Sequence, residues 1–574
     1  MDETRPIADA RRAAALALTL IVVAAAAVAL QLFGLGRTPF HTRGEPREAV
    51  VVQDLAAHGD WVLPRRNATA LPRKPPLFYW LGGAAARVRG VVDEATVRLP
   101  SAALSTAAVL LLTAVVGLTL TPRAGGLSGL FLLTSFEWLR AGTAARVDMT
   151  LAFGLTLAFL GLLRLRLGAG TPALLLFYAG VVWATLAKGI PGLAIPAIAI
   201  ALLCGLDRSL APLRRLRPLR GLLAVIVLVG AWYAAAAAQG GRAFLSIVAS
   251  ENLHRISGGG SFDVGHRHGV GYLLGSLAAG LLPWTLLLPP VLLGLWRDRA
   301  TLTRGDARLT ALLWSLAVFA PHALATSKRG VYLLPLYPAV ALLLGWWGDR
   351  LIAGGVPFAV GRRLIGWLTW PLALLLAALA IAALAQAVGV PLLDGVTTLF
   401  SGRSAADVEV VLAALGSHGV EFAALLGLAA LALLVAAVAT PRAWFGSGLA
   451  GLLVATGAIA LAVRLVVMPA LGAAQTRQPF AAALRAQLAD PAALHTVPSL
   501  DYGTLFYWGE ALPVYDPRDG GAAPRYLLMP EPSWLRATPA LRDTYRRVPG
   551  LRVARRTDEG YPVVLERRVE PVPQ

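Results

Sequence analysis

Apolar residues run along this chain in blocks of about 20, the length a helix needs to cross a bilayer. The blocks fall at 13–35, 98–120, 125–141, 149–163, 172–187, 189–206, 221–239, 270–296, 309–326, 331–349, 364–388, 421–440 and 446–470. They predict about thirteen transmembrane helices. The first block follows Arg11 and Arg12 with no small-residue cleavage site, so it reads as a retained anchor. Segment 76–90 is apolar but too short to cross, and predicts a helix in the membrane interface or dipping into it. From about residue 475 the spanning pattern stops. Arg525–Met529, Val553–Arg556 and Val563–Arg567 read as short strands, between helical stretches near 479–488 and 537–547. The expected architecture is an all-α polytopic membrane domain, 1–474, followed by a small soluble α/β domain, 475–574.

Composition agrees with this pattern. The 574 residues are 57% apolar and 15% charged, against about 25% charged in soluble domains. An ordinary soluble enzyme is thereby excluded, and so is a disordered chain. One cysteine, Cys204, leaves no disulfide framework and no multi-thiolate metal site.

The formal charge of +20 comes from 52 Lys+Arg against 32 Asp+Glu, with only two lysines before residue 200. In so apolar a chain, an arginine excess points to membrane surfaces and phosphates rather than to nucleic acid. The tail contributes 13 basic and 11 acidic residues, so almost all the excess lies in the membrane part. Positive residues mark cytoplasmic loops. With the N-terminus inside, Arg123, Arg164, Arg166, Arg208, Arg214, Arg297, Arg308, Arg350, Arg362 and Arg442 all fall inside. The expectation is a multi-pass protein of the bacterial inner membrane, N-terminus cytoplasmic and C-terminus periplasmic. Loop 36–97 then lies outside despite nine basic residues, including Arg47, Arg73 and Lys74.

On that topology the unusual polar groups share the outer face. They are Glu45, Arg47, Glu48, Lys74, Glu137, Arg140, Arg146, Asp148, Lys188, Glu251, Arg255, His266, His268, Lys328 and Arg329. Ionisable groups persist at membrane depth where they pair or work. Together they describe an outward-facing cavity rich in cations and holding a few carboxylates. Fixed arginines and lysines suit a phosphate, and a carboxylate among them suits a general base. A lipid with a phosphate head fits at the bilayer edge. Simpler readings exist for each residue: ion pairing, snorkelling of a lysine to the headgroups, or an acid at a helix start. His266 and His268 form a weak divalent-metal candidate, too few ligands for a site. Asn67-Ala68-Thr69 fits a glycosylation sequon that also arises by chance.

Several stretches resemble the bacterial aminoarabinose–lipid A transferases. They are Gly44-Glu45-Pro46-Arg47-Glu48-Ala49 with His58-Gly59-Asp60-Trp61, Lys74-Pro75-Pro76-Leu77-Phe78-Tyr79-Trp80, and Arg98-Leu99-Pro100-Ser101. Val147-Asp148-Met149, Ala187-Lys188-Gly189, Glu251-Asn252-Leu253-His254-Arg255, Pro283-Trp284 and Ser327-Lys328 through Tyr332-Leu333-Leu334-Pro335 continue the likeness in the same order. It extends to the protein O-mannosyltransferases. The resemblance implies a GT-C glycosyltransferase fold and a sugar taken from undecaprenyl phosphate outside the inner membrane. It also implies an acid of the first outer loop near the acceptor. The usual Asp-Glu pair reads Gly44-Glu45 here, which makes Glu45 the candidate for that role. The acid often found before Lys-Pro-Pro is Arg73, which weakens the case for a bound metal.

The expected reaction is an inverting transfer in one displacement. Glu45 or Asp148 takes the acceptor proton; Arg47, Lys74, Lys188, Lys328 and Arg329 meet the departing phosphate. Glu251, Arg255, His266, His268 and Tyr332 are further cavity candidates, and no cofactor is required. Expected partners are a polyprenyl-phosphate sugar donor, lipid A or another envelope acceptor, and membrane lipids, with the chain a monomer. Transfer of another sugar to protein Ser/Thr or an envelope glycan is the alternative. A lipid flippase should instead show related halves or helices interrupted at mid-membrane. Loss of activity in Glu45→Gln with normal folding is the expectation that separates these readings.

Overall fold

The computed structural model describes residues 4–42, 44–257, 268–303, 305–355, 359–498, 501–551 and 562–568. Among them, eleven helices are long and apolar enough to cross a membrane, or twelve when a pair bent by 104°, Val270–Gly280 with Trp284–Arg297, counts as one. The chain is a multi-pass membrane protein. Its opening helices are α1 (Thr4–Ala27), α2 (Gly44–His58), α3 (Leu77–Arg89), α4 (Glu94–Thr119), α5 (Pro122–Leu133), α6 (Phe136–Gly142), α7 (Val147–Arg166), α8 (Thr171–Lys188) and α9 (Ile190–Asp207).

Local chemistry sets these boundaries. Asp93 caps α4, its carboxylate accepting from the Thr96 N–H at 2.7 Å. Thr121 caps α5 the same way, with Pro122 at the first helical position. Gly189, at φ +72°, breaks the apolar run into α8 and α9. Helix α3 has 13 residues, the short element expected at 76–90.

The expected single span 125–141 divides instead into α5 and α6 across Thr134 and Ser135. The Ser135 hydroxyl bonds back to the Phe131 carbonyl, and α6 carries the Glu137–Arg140 ion pair. Such charge marks α6 as more than lipid-facing filler.

Helices α7 and α8 are pressed together through glycine. A Cβ on Gly154 would come within 2.7 Å of the Ala184 backbone nitrogen, and one on Gly180 within 2.3 Å of the Ala158 nitrogen. Small residues permit such approach where lipid offers no hydrophobic drive. This contact fixes Asp148, at the start of α7, relative to Lys188, at the end of α8.

The tail holds four strands, β1 (Leu494–Thr496), β2 (Tyr526–Pro530), β3 (Tyr545–Arg547) and β4 (Pro562–Arg567), in the order β1-β2-β4-β3. β1 runs parallel to β2, and the other pairs are antiparallel, with Leu528 opposite Val564. Two of the expected strands lie close to β2 and β4, and helix Gln478–Gln487 matches 479–488. Expected helix 537–547 is corrected to a short helix, Pro539–Thr544, running into β3, where Tyr545 is buried. Val553–Arg556 lies outside the described residues.

The tail closes a small core of its own from Val497, Leu527, Met529, Tyr545, Val563 and Leu565, and shares a second with the first loop. Phe480, Leu484, Leu505, Phe506 and Trp508 share one hydrophobic cluster with Phe40, Val51, Leu55, Phe78 and Val97. Phe40 meets Phe506 edge-on at 4.9 Å. Loop 36–97 is thus packed from below by the helices and from above by the tail.

Candidate active site

Helix α2 carries Glu45 and Glu48, three residues apart in its first turns, and both are buried. Glu45 is committed to Arg98. Arg98 Nε donates to Oε1 at 2.7 Å and Nη2 to Oε2 at 3.0 Å, while the Ala145 N–H donates to Oε1 at 3.0 Å. Burial works to raise the Glu45 pKa, but the Arg98 charge and these hydrogen bonds overcome it and the net shift is downward.

Glu48 faces a different set. Its carboxylate accepts from Arg47 Nη2 at 2.7 Å and from the Tyr79 hydroxyl at 2.6 Å, and lies 3.6 Å from Lys74 Nζ. Here too burial pushes the pKa up. Lys74, Arg47 and the two hydrogen bonds reverse the effect and hold it down to about 2. Burial pulls the Lys74 ammonium downward, partly restored by Glu48 and Asp148.

Asp148 begins α7 and forms a short ion pair with Lys188. The Lys188 ammonium also lies 4.5 Å from the centre of the Tyr332 ring, which is 5.6 Å from the His322 ring. Lys74 feels the charges of Glu48, Asp148, Arg47 and Lys188 together. One cluster therefore gathers Arg47, Glu48, Lys74, Asp148, Lys188 and Tyr332 from the first loop, α7, α8 and the segment before helix Tyr337–Ile352. Three cations and two carboxylates converge within it.

The remaining described candidates make contacts of their own. Lys328 is buried with its ammonium on the Ala325 carbonyl, and Arg329 beside it is exposed. Glu251, near the end of helix Pro218–Ser257, lies 3.9 Å from Arg73. His268 stacks on Tyr272 at 4.2 Å. His266 and the Arg255 side chain lie outside the described residues. Among the described residues, no group of three or more His, Cys, Asp or Glu side chains could hold a metal ion.

In the sequence, Glu48 falls among the outer-face polar groups and Tyr79 and Arg98 within the family-like stretches, but none of the three carries an assigned role. A signal for Glu48 existed, since it lies four residues after Gly44 and so shares its helical face. Nothing in the sequence pairs Arg98 with Glu45. A separate cavity of about 550 Å³ is lined by Asp298, Asp306, Arg308, Trp346 and Arg350. Its charges are spent on one another, Arg308 reaching both Asp298 and Asp306.

Residues 73–233 match the family described as dolichyl-phosphate-mannose-protein mannosyltransferase. The undecaprenyl phosphate-α-4-amino-4-deoxy-L-arabinose arabinosyl transferase of Aeromonas salmonicida is 26% identical over 62% of this chain and 64% of its own length. That of Edwardsiella ictaluri is 28% identical over 54% and 55%. The chain thus spans less than two thirds of these relatives. The crystal structure of ArnT from Cupriavidus metallidurans bound to undecaprenyl phosphate superposes with a TM-score of 0.73 at 20% identity, covering 95% of this chain and 97% of that one.

The fold is that of the GT-C membrane glycosyltransferases. Its architecture is similar to that of ArnT over 95% of the chain, and its sequence to the arabinosyl transferases over 54–62%.

Proposed function

We propose that the protein moves a sugar from a polyprenyl (undecaprenyl) phosphate to an envelope acceptor at the periplasmic face, with lipid A and aminoarabinose the leading pair. The observation that carries this reading is the meeting of Lys74 and Lys188 around Asp148 and Glu48. Paired cations in a buried pocket suit a phosphate whose charge grows as it leaves. The relatives' printed activity supports the same donor.

Asp148 is the base in this reading. The acceptor oxygen attacks the anomeric carbon, its proton passes to Asp148, and the carbon–oxygen bond to the polyprenyl phosphate breaks with its electron pair on the phosphate. Lys74 and Lys188 meet that charge, and Tyr332 borders Lys188. Glu45 serves as a clamp, since both its oxygens are held by Arg98. Through the Ala145 N–H it joins the first loop to the turn leading into Asp148.

A parity argument supports the topology. The first loop and the tail share a core, so an even number of crossings separates them. Eleven spans satisfy this and twelve do not. If bent segment 270–297 crosses, α5 with α6 must cross too, giving the thirteen spans expected from hydropathy, with the C-terminus periplasmic.

Mass spectrometry of lipid A from cells with and without the protein tests the acceptor. A pentosamine-sized addition that depends on the protein is expected. Unchanged lipid A, with folded protein and available donor, overturns that acceptor. Gly44 and Arg73, where the family carries acids, favour another sugar or envelope acceptor as the second reading.

A further inference from the structure

We propose that Glu48 is a positioning residue of the donor site, holding Lys74 in place and charged against the leaving phosphate. This rests on the polyprenyl-phosphate reading above. Residues 44 and 48 lie on the same face of α2. Residue 44 faces open space, a side chain there meeting nothing within 4 Å, whereas the carboxylate at 48 is buried to 3% exposure.

That carboxylate is aimed. Tyr79 holds one oxygen at 2.6 Å, and the other takes Arg47 at 2.7 Å and lies 3.6 Å from Lys74. A buried carboxylate is costly unless paired, and these partners determine which way it points. Lys74 itself is surrounded by two acids and two cations: Glu48 and Asp148 against Arg47 and Lys188. Asp148 also pairs with Lys188. Removing Glu48 leaves Lys74 with one acid, Asp148, against two cations in a desolvated pocket, a setting that favours loss of the lysine's proton. A neutral amine there would no longer attract a phosphate.

The test is retention of undecaprenyl phosphate by the purified full chain across pH, with undecaprenol as the uncharged control. Wild type is expected to lose retention on the alkaline side, and Lys74→Arg to remove that limb, because arginine stays charged. Glu48→Gln keeps an acceptor for the Tyr79 hydroxyl; its limb is expected to move down by about one pH unit or more, with roughly tenfold weaker retention at about pH 8 and near-normal retention at about pH 6. Glu48→Asp, which draws the charge back by one methylene, is expected to move the limb less. An alkaline limb unmoved in Glu48→Gln, or in Glu48→Asp should the glutamine variant not fold, overturns the proposal. Wild type that retains undecaprenyl phosphate no better than undecaprenol overturns the donor reading instead.

Discussion

Arg98 and Glu45, 53 residues apart in sequence, meet as a buried two-pronged ion pair. The remaining guanidinium nitrogen of Arg98 donates to the Thr38 and Leu35 carbonyls at 2.6 and 3.0 Å. One side chain thus ties the end of the first helical segment, the start of α2 and the body of α4. The acid that looked most like a free base in the sequence is the acid most fully occupied in the fold.

Removing one partner of a buried ion pair costs about 3–5 kcal/mol, because the other charge is left unpaired. Glu45→Gln is therefore expected to lower the thermal unfolding temperature, with transfer falling alongside it. The double variant Glu45→Met with Arg98→Met should be less destabilised than the sum of the singles, the signature of a coupled pair. Unfolding at the wild-type temperature with turnover abolished would instead make Glu45 a participant in the reaction.

Asp148 and Lys188 should separate chemistry from binding. Asp148→Asn removes the proposed base, so turnover is expected to fall by about 10²–10⁴. It also removes a negative charge beside the phosphate site, so retention of undecaprenyl phosphate should hold or rise. Lys188→Ala should show the reverse pattern in binding, losing retention along with turnover. Measuring both quantities on both variants checks the assignment; equal loss of retention in Asp148→Asn would remove Asp148 from the role of base.

The membrane frame was legible because burial in lipid demands long apolar runs, and those runs are local in sequence. Segment 125–141 reads as one unbroken helix because its hydropathy averages over the break at Thr134 and Ser135 and over Glu137 and Arg140, which pair with each other on α6. The cation-rich face was legible from residue types alone. What pairs with what was not. Glu45 with Arg98 and Glu48 with Tyr79 are contacts across 53 and 31 residues, and no periodicity encodes them. The tail's packing on the first loop was hidden for the same reason, since Phe506 and Trp508 show no sign in sequence of sharing a cluster with Phe40 and Leu55.

Glu48 gives a stability prediction with a definite sign. Its folded pKa, about 2, lies below the ordinary 4.5. The ionised form is therefore favoured by folding, and the stabilisation is full above about pH 4.5 and is lost as pH falls towards about 2. The size is on the order of 3 kcal/mol. Unfolding followed between about pH 5 and pH 2 should show this acid-side loss in wild type and a flatter profile in Glu48→Gln. An equal slope in both would mean that other carboxylates dominate acid unfolding.

Asn67 offers the sharpest test of how the tail is held. Its side chain is 2% exposed, donates from Nδ2 to the Leu512 carbonyl at 2.7 Å and accepts the Leu512 N–H on Oδ1 at 2.8 Å. The backbone there sits at φ +54°, a left-handed conformation that asparagine tolerates better than most residues. The sequon-like triplet is thus a docking device, its amide spent on the tail and unable to accept a glycan while docked. Asn67→Ala orphans both Leu512 groups and should destabilise the docked tail by about 2–3 kcal/mol. Asn67→Asp keeps the acceptor but loses the donor, and should lie between. Limited proteolysis of the tail reads this out directly, cleavage rising in the order wild type, aspartate, alanine. Because loop 36–97 shares its core with the tail, transfer should fall in the same order; faster cleavage with unchanged transfer would make the tail a passive cover rather than part of the frame that holds Glu48 and Lys74.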